Sequence, residues 1–275
     1  VSASNQVDVK AQASGDATYV GVVQGQRVKA GALLAQLDSA TVQKAVRDAQ
    51  ISLDSANLAL SKLQQPADQL SITQAENALT DAQNAKLNAQ DALTQAYGDA
   101  FTTISNAFLD LPTEITGIQN TLYNTNYSAQ QDNISYYTDL AKKYDLTVFT
   151  YRDDANAKYQ AARAAYDRNF LDYKAATRYS GNDAIEILLN ETYNTLKLTS
   201  DSVKSTDNFL SFVKDRLTEH GDPLPSQIAT HQANVANYTS KANTNLSNLL
   251  ASINAIKNDK DAITNDDQSI IEKTQ

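Results

Sequence analysis

The residue types that most often carry chemistry are sparse in this sequence. Among 275 residues there are two His, His220 and His231, and no Cys. Asp222 lies near His220, but no further His or carboxylate follows at the spacing of a metal site, and most such sites need three or four ligands. A His-based catalytic site would need a positioned nucleophile and an orienting acid, and no motif suggests either. We therefore expect no enzymatic activity, no bound metal and no cofactor.

Two acidic stretches and one pair of Gly residues also lack the features of ligand loops. Arg152-Asp153-Asp154 and Asn265-Asp266-Asp267 have no Gly-containing calcium loop around them. Gly25 and Gly31 are not followed by the Lys and Ser or Thr of a phosphate loop, and their spacing does not fit a dinucleotide turn. We interpret the acidic stretches as solvated helix faces.

Tyr is unevenly distributed along the chain. Eleven of the 14 Tyr lie between Tyr123 and Tyr193. Six of them are candidates for a surface that binds a hydrophobic ligand, a glycan or a partner protein, because they recur every seven residues in two runs: Tyr137, Tyr144, Tyr151, Tyr159, Tyr166 and Tyr173. The same spacing fits the core of a helical bundle, in which Tyr supplies bulk and its hydroxyl reaches the rim. The heptad spacing favours this second interpretation.

Charge and hydropathy exclude two classes of partner. The net charge is −9 and no basic block occurs, whereas nucleic-acid binding needs a Lys/Arg patch. No run of eighteen apolar residues is present, so we expect membrane contact only through a segment outside this chain. The absence of Cys fits an extracytoplasmic protein that avoids stray thiols, although many cytosolic proteins also lack Cys.

The first 38 residues have a different pattern from the rest. We predict an entry strand over 6–13, then a turn at Ser14-Gly15-Asp16. Between 20 and 38, Gly25 and Gly31 separate short Val- or Leu-rich runs, and Gly supplies the positive φ that tight turns require. This part of the chain is predicted to be a small, turn-dense β unit.

The run from Val22 to Asp38 reads V-x-x-G-x-x-V-x-x-G-x-x-L-x-x-L-D. This pattern resembles the first half of a biotinyl-lipoyl-like β-sandwich, in the form found in HlyD-type membrane fusion proteins. The matching motif residues are Gly25, Val28, Gly31, Leu34, Leu37 and Asp38. In that family a helical hairpin is inserted where the half-sandwich ends, and here Ser39 could cap a helix that starts near Ala40. Carriers of biotin or lipoate present a Lys at that point; this chain has none, so a swinging-arm role is not expected.

The resemblance implies a function. HlyD-type proteins are extracytoplasmic adaptors of bacterial efflux and secretion systems, so the chain is expected to scaffold and couple an inner-membrane transporter of the ABC or RND type to an outer-membrane or envelope component. Such adaptors usually assemble as homo-oligomeric rings and are anchored to the cytoplasmic membrane. The second half-sandwich of the family does not appear here, so we expect this chain to be part of a longer protein.

Nearly everything after Asp38 is predicted to be helical. The helix at 40–64 carries an apolar seam in a 4-3 rhythm, and Pro66 breaks it by a kink or a reversal. A second helix is predicted to stop near Pro112. Further helices are predicted at 113–124, 128–145, 149–180 and 184–219, with Gly181 as an αL cap and Asp183 as an N-cap. The last helix, 226–274, has a long seam for which the helix at 40–64 is the natural partner.

The expected fold class is mainly α: a long helical hairpin or coiled coil and an antiparallel helical bundle, inserted into a small β-rich half-lipoyl domain. The predicted segments are the half-lipoyl part at 1–38, an ascending stalk helix at 39–68, a Tyr-rich bundle at 69–225 and a returning stalk helix at 226–275. The alternative function, motivated by the Tyr-rich segment, is a ligand-sensing or protein-binding extracytoplasmic bundle. A helical insertion larger than a plain hairpin leaves docking to an outer-membrane channel in doubt.

Overall fold

The computed structural model describes residues 7 to 274, which divide into two compact units, 7–72 and 73–274. Residues 1 to 6 and 275 of the predicted terminal segments lie outside the described residues. The elements follow in the order β1 (Ala17–Val20), β2 (Ala35–Leu37), α1 (Ala40–Gln64), α2 (Gln69–Tyr123), α3 (Asn133–Ala141), α4 (Val148–Ala175), α5 (Asn182–Glu219) and α6 (Ile228–Thr274). The chain is therefore mainly helical, as predicted.

The first unit holds a two-stranded antiparallel sheet. Ala17 pairs with Leu37 and Val20 with Ala35, with an irregularity near Ala17 that shifts the register. The segment between the strands is closed by turns at Gly25 and Gly31, whose φ angles are 88° and 85°. The predicted requirement for positive φ at both Gly residues is confirmed. Two Gly residues, which have no Cβ, thus allow the chain to turn back and form the hairpin.

The predicted entry strand over 6–13 is wrong for the described residues from 7 onward. Val7 and Val9 do alternate, but they are 81% and 78% exposed and belong to no strand. The first strand is β1 at Ala17–Val20 instead, because the two Gly turns bring β2 back beside it. Alternation alone does not make a strand when no neighbour completes the hydrogen bonds.

Helix α1 begins where the sequence predicted. Ser39 is its N-cap, but the Ser39 side chain makes no capping bond. The Ala40 amide instead donates to Oδ1 of Asp38 across 2.8 Å, so the carboxylate caps the first turn. The helix ends at Gln64, since Gln65 is extended before Pro66. Asp68 then accepts from the Ser71 amide at 2.9 Å and opens α2.

The second unit is an antiparallel bundle of four long helices. Helices α2 and α6 run in opposite directions, because Lys86 pairs with Asp267 and Lys241 with Asp110. Helices α4 and α5 are likewise antiparallel, since Asn169 meets Thr192 and Asp154 meets Ser205. Helix α5 also packs extensively against α6, and the short α3 packs on α4 and α5.

The predicted break at Pro112 is wrong. Helix α2 runs without interruption from Gln69 to Tyr123, with Pro112 in its interior. Pro removes one intrahelical hydrogen bond and costs about 3 kcal/mol in a helix interior. The apolar stripe on both sides of Pro112 is buried (Ile104, Phe108, Leu111, Ile115, Ile118 and Leu122). Burial of this stripe along one continuous helix outweighs the local cost.

The turn between α4 and α5 also differs from its prediction. Gly181 has φ −59° and ψ 153°, so it is not a left-handed cap but the N-cap of α5. Asp183, predicted as the N-cap, lies in the first turn, where its charge favours the positive end of the helix. A left-handed Gly does occur at the other end of α5: Gly221, with φ 73°, directly follows the C-cap.

Helix α6 finds its partner within the second unit. Its seam packs against α2, and the contacts extend from Gly117 beside Tyr238 to Lys86 with Asp267. The pairing of α6 with the helix at 40–64 stays a prediction. A heptad pattern predicts that another helix packs on the apolar seam, but it does not predict which helix this is. The compact bundle includes α6, which the prediction had separated as a stalk.

Candidate functional site

The six Tyr predicted as a candidate surface occupy different contacts. Tyr137 and Tyr159 are buried in the core. Tyr166 and Tyr173 are half-buried and pack with Phe108 of α2, and the Tyr173 ring stacks on Phe108 at 4.2 Å between centroids. Tyr151 stacks on Phe212, and Tyr144 stacks on His220 at 3.9 Å. The structure places these six rings mainly between helices, and it does not align them along one open face.

The motif residues of the β unit lie on the hairpin and at its exit. Gly25 and Gly31 form the two turns, and Val28 between them is 50% exposed. Leu34 and Leu37 are half-buried, and Asp38 is the capping residue of α1. Together they form the segment that leads from the strands into the helix.

The core of the bundle contains a chain of hydrogen bonds that joins two Tyr hydroxyls and one His ring. The Tyr127 hydroxyl lies 2.9 Å from the Tyr137 hydroxyl, which lies 2.9 Å from Nδ1 of His231. The backbone amide of Gln227 donates to the Tyr127 hydroxyl at 3.0 Å. These hydrogen bonds connect the segment before α3, α3 itself and the first turns of α6.

The tautomer of His231 sets the direction of these hydrogen bonds. The Gln227 amide donates to the Tyr127 oxygen, and in the other two bonds either partner can be the donor. Burial lowers the pKa of His231, which favours the neutral ring. Burial also raises the pKa of Tyr137, so this hydroxyl keeps its proton.

A second polar cluster lies at the end of α5. The Asp222 carboxylate accepts from the Tyr144 hydroxyl at 2.7 Å and pairs with Lys143. These two donors lower the pKa of Asp222, so the carboxylate stays charged. His220 lies flat against Tyr144. The cluster fastens the turn after α5 to the segment after α3, and this is a structural role.

A third polar feature lies deep in the bundle. Glu114 of α2 is 0% exposed, and neither of its carboxylate oxygens has a hydrogen-bond partner among the described residues. Burial, with a smaller contribution from Asp110, raises the pKa of Glu114 to about 8. The carboxyl is therefore mostly protonated and neutral near pH 7. Asp110 itself is held ionised by Lys241 and Asn245, at 2.8 and 3.1 Å.

Glu114 lies where the apolar core divides. One cluster reaches Ile115 on α2, and the other ends at Leu111. On α5 the boundary between the two clusters lies between Leu196 and Val203. Ser202, at this boundary, is buried, and its hydroxyl also lacks a hydrogen-bond partner in the described part of the chain. The bundle thus has a polar layer between two apolar clusters.

The sequence did not predict this layer or the role of His231. A signal for Glu114 was available, since it follows Leu111 by three residues and directly precedes Ile115 on the buried stripe. The partner of His231 could not be found in this way, because Tyr137 is 94 residues away in sequence.

Comparisons with known proteins identify no relative of this chain: no family model, no curated protein and no solved structure matches it. Among residues 7 to 274, no helix has an apolar stretch of the length and hydrophobicity that crossing a bilayer requires.

Proposed function

We propose that the chain is part of an extracytoplasmic adaptor, a membrane fusion subunit that couples a bacterial efflux or secretion transporter to other envelope components. The half-lipoyl-like motif motivates the proposal, and the confirmed turns at Gly25 and Gly31 agree with it. The helix that directly follows the hairpin is the second feature that the family resemblance implies.

One observation carries the proposal, and it concerns α1. None of its 25 residues is buried. Its 4-3 seam consists of Ala49, Ala56 and five larger apolar residues. The side chains of these five are 52% to 85% exposed: Val42, Val46, Leu53, Leu60 and Leu63. Apolar residues sustained in this rhythm form a coiled-coil seam, and a seam gains stability only when a second helix covers it.

The occupant we propose for this seam is α1 of a second copy of the chain. Identical helices offer the same spacing to each other, and this self-complementarity is the basis of symmetric assembly. A homo-oligomer of this kind would present one continuous surface to an inner-membrane transporter of the ABC or RND type. The anchor to the cytoplasmic membrane and the remainder of the sandwich are expected in other segments of the whole protein.

Two double substitutions on α1 test the proposal. Leu53→Glu with Leu60→Glu places charge on the seam. Ile51→Glu with Leu58→Glu makes the same chemical change on the opposite side of the helix, at residues that are 62% and 59% exposed. The readouts are sedimentation of the purified chain and co-purification of the transporter with the whole protein after crosslinking in its own membrane.

We expect the seam variant to lose both self-association and the crosslinked transporter, while the matched control keeps both. Equal effects of the two variants, or no effect of either, would show that the seam does not mediate assembly. Self-association without any transporter in the crosslinked complex would refute the adaptor function while leaving the oligomer intact.

A further inference from the structure

A cleft at one end of the bundle lies between the C-terminal part of α2 and the first turns of α6. Its volume is about 210 Å³. The lining consists almost entirely of amide and hydroxyl side chains around one imidazole: Gly117, Asn120, Thr121, Asn124, Asn126, Gln227, Thr230, His231, Asn234 and Tyr238. None of these residues is Asp, Glu, Lys or Arg, although the chain as a whole has a net charge of −9.

The floor of the cleft is held in place by a buried amide. Asn133 is 0% exposed, and its Nδ2 donates to Oδ1 of Asn126 at 2.7 Å and to the Thr121 carbonyl at 3.2 Å. Its Oδ1 accepts from the Asn126 amide at 3.2 Å. Asn133 thereby fixes the position of Asn126, whose NH2 group makes no hydrogen bond within the described part of the chain. The polar groups are therefore positioned before any ligand arrives.

One wall of the cleft depends on a missing side chain. The ring of Tyr238 lies directly over Gly117, and a Cβ at that position would overlap the hydroxyl end of the ring. Gly117 thus permits the Tyr238 hydroxyl to reach the cleft. The aromatic face and hydroxyl of Tyr provide the combination of an apolar surface and a polar tip.

The imidazole leaves one nitrogen that Tyr137 does not occupy. Tyr137 is hydrogen-bonded to Nδ1 of His231, so the nitrogen left for the cleft is Nε2, which donates or accepts according to the tautomer of the neutral ring. The hydroxyl and amide groups around it both donate and accept hydrogen bonds. The lining has no charged side chain, so a neutral ligand rich in groups that both donate and accept matches it.

We propose that this cleft binds a neutral saccharide, one sugar unit of an oligosaccharide or glycan. Sugar hydroxyls donate and accept in the same way as the lining side chains, and the Tyr238 hydroxyl adds one more such group. The volume is below the roughly 300 to 1,000 Å³ of sites for drug-sized ligands, so it suits a single unit. This inference does not depend on the adaptor function, because the cleft and the α1 seam lie in different compact units.

The test is titration of the full chain with neutral trisaccharides, maltotriose and the trimer of N-acetylglucosamine, and with an anionic trimer of galacturonate. Saturation-transfer NMR detects weak contact, and calorimetry gives the affinity. We expect at least one neutral trisaccharide to bind in the millimolar range or tighter, and the anionic trimer to bind at least tenfold more weakly or not at all.

Three variants locate the contact. Asn234→Ala and Tyr238→Phe remove cleft groups on α6, and each should weaken binding about three- to tenfold, the effect of one hydrogen bond. Gly117→Ala should have a comparable or larger effect, because it displaces the Tyr238 hydroxyl without removing it. Asn248→Ala is the matched control, since Asn248 is exposed on α6 and does not line the cleft.

The proposal would be overturned if neither neutral trisaccharide bound at about 10 mM, or if the anionic trimer bound with equal affinity. It would also be overturned if Asn248→Ala weakened binding as much as Asn234→Ala does. Circular dichroism of each variant checks that the bundle is folded, and Asn234 is exposed, so its variant is expected to fold normally.

Discussion

The Tyr137 hydroxyl is hydrogen-bonded to Nδ1 of His231 across 2.9 Å, and this bond joins α3 to α6 inside the bundle. Tyr137 is 0% exposed and His231 is 7% exposed, so neither group can replace the bond with bulk water. The same hydroxyl also meets Tyr127, which makes it the central member of the hydrogen-bonded chain. The segment before α6 is therefore fixed from within the core.

Tyr137→Phe tests this connection. The substitution keeps the ring but leaves Nδ1 of His231 without a partner, and the Tyr127 hydroxyl keeps only the Gln227 amide. An unsatisfied buried polar group costs about 1 to 3 kcal/mol, so we expect the free energy of unfolding to fall by about that amount. Urea unfolding followed by circular dichroism measures it. Tyr179→Phe is the control, because Tyr179 is 89% exposed, and it should leave stability unchanged. Equal stability of the two variants would contradict the role of the bond.

Glu114→Gln should change how stability depends on pH. The pKa of Glu114 is raised from 4.5 to about 8 in the folded chain, so between these values the folded state keeps a proton that the unfolded state has released. Because the unfolded state binds fewer protons, this residue makes stability fall as pH rises from 4.5 to about 8, by about 1.4 kcal/mol per pH unit. Gln does not titrate and should abolish this component.

The measurement is a series of urea unfolding curves from pH 5 to pH 9 for both proteins. We expect the stability of Glu114→Gln relative to the parent to increase steadily up to about pH 8 and then to level off. Glu76→Gln, at an exposed position of the same helix, should run parallel to the parent. A constant difference between Glu114→Gln and the parent across this range would show that Glu114 is ionised in the folded chain.

Pro112→Ala should stabilise the bundle. Ala at this position restores the amide that can donate to the Phe108 carbonyl in the interior of α2. The gain is expected to be about 1 to 3 kcal/mol, the upper value being the intrinsic penalty of Pro in a helix. Thermal unfolding would show it as a higher Tm. A lower Tm would mean that the bundle requires a bend at Pro112.

The sequence predicted the helices better than their partners. The turn signals at 180–183 and 220–225 located the starts of α5 and α6 within two residues of those observed. The prediction failed at Pro112, because burial along the neighbouring turns outweighs the local cost, and at Gly181, because α4 already ends at Ala175. The packing of α6 on α2 could not be predicted, since a heptad seam is equally compatible with any other seam.

The polar sites could be predicted less well than the fold. His231 depends on Tyr137 and Tyr127, and Glu114 depends on the gap between two apolar clusters, so each is defined by contacts across the bundle. Single-sequence patterns carry no information on contacts over that distance. The amide-lined cleft is a further example, because its residues come from two segments about 100 positions apart, as the bond from Gln227 to Tyr127 illustrates.

The same substitution of Gly by Ala should have opposite effects at two positions. At both Gly25 and Gly98, a Cβ would have no atom within 4 Å, so steric contact with neighbours does not distinguish the two positions. Gly25 has a φ of 88°, which costs an L-residue about 1 kcal/mol, whereas Gly98 lies in the interior of α2, where Ala is favoured by about 0.5 to 1 kcal/mol. The sign of the change therefore depends on the backbone alone.

Each effect is measured in its own unit. For Gly25→Ala we expect faster hydrogen exchange at the Gly21 and Asp38 amides, which donate to Leu34 and Asp16 in the hairpin. For Gly98→Ala we expect a higher Tm of the bundle. If Gly25→Ala slowed exchange at these amides, the left-handed turn would not be the conformation in solution, and the most specific part of the half-lipoyl resemblance would be lost with it.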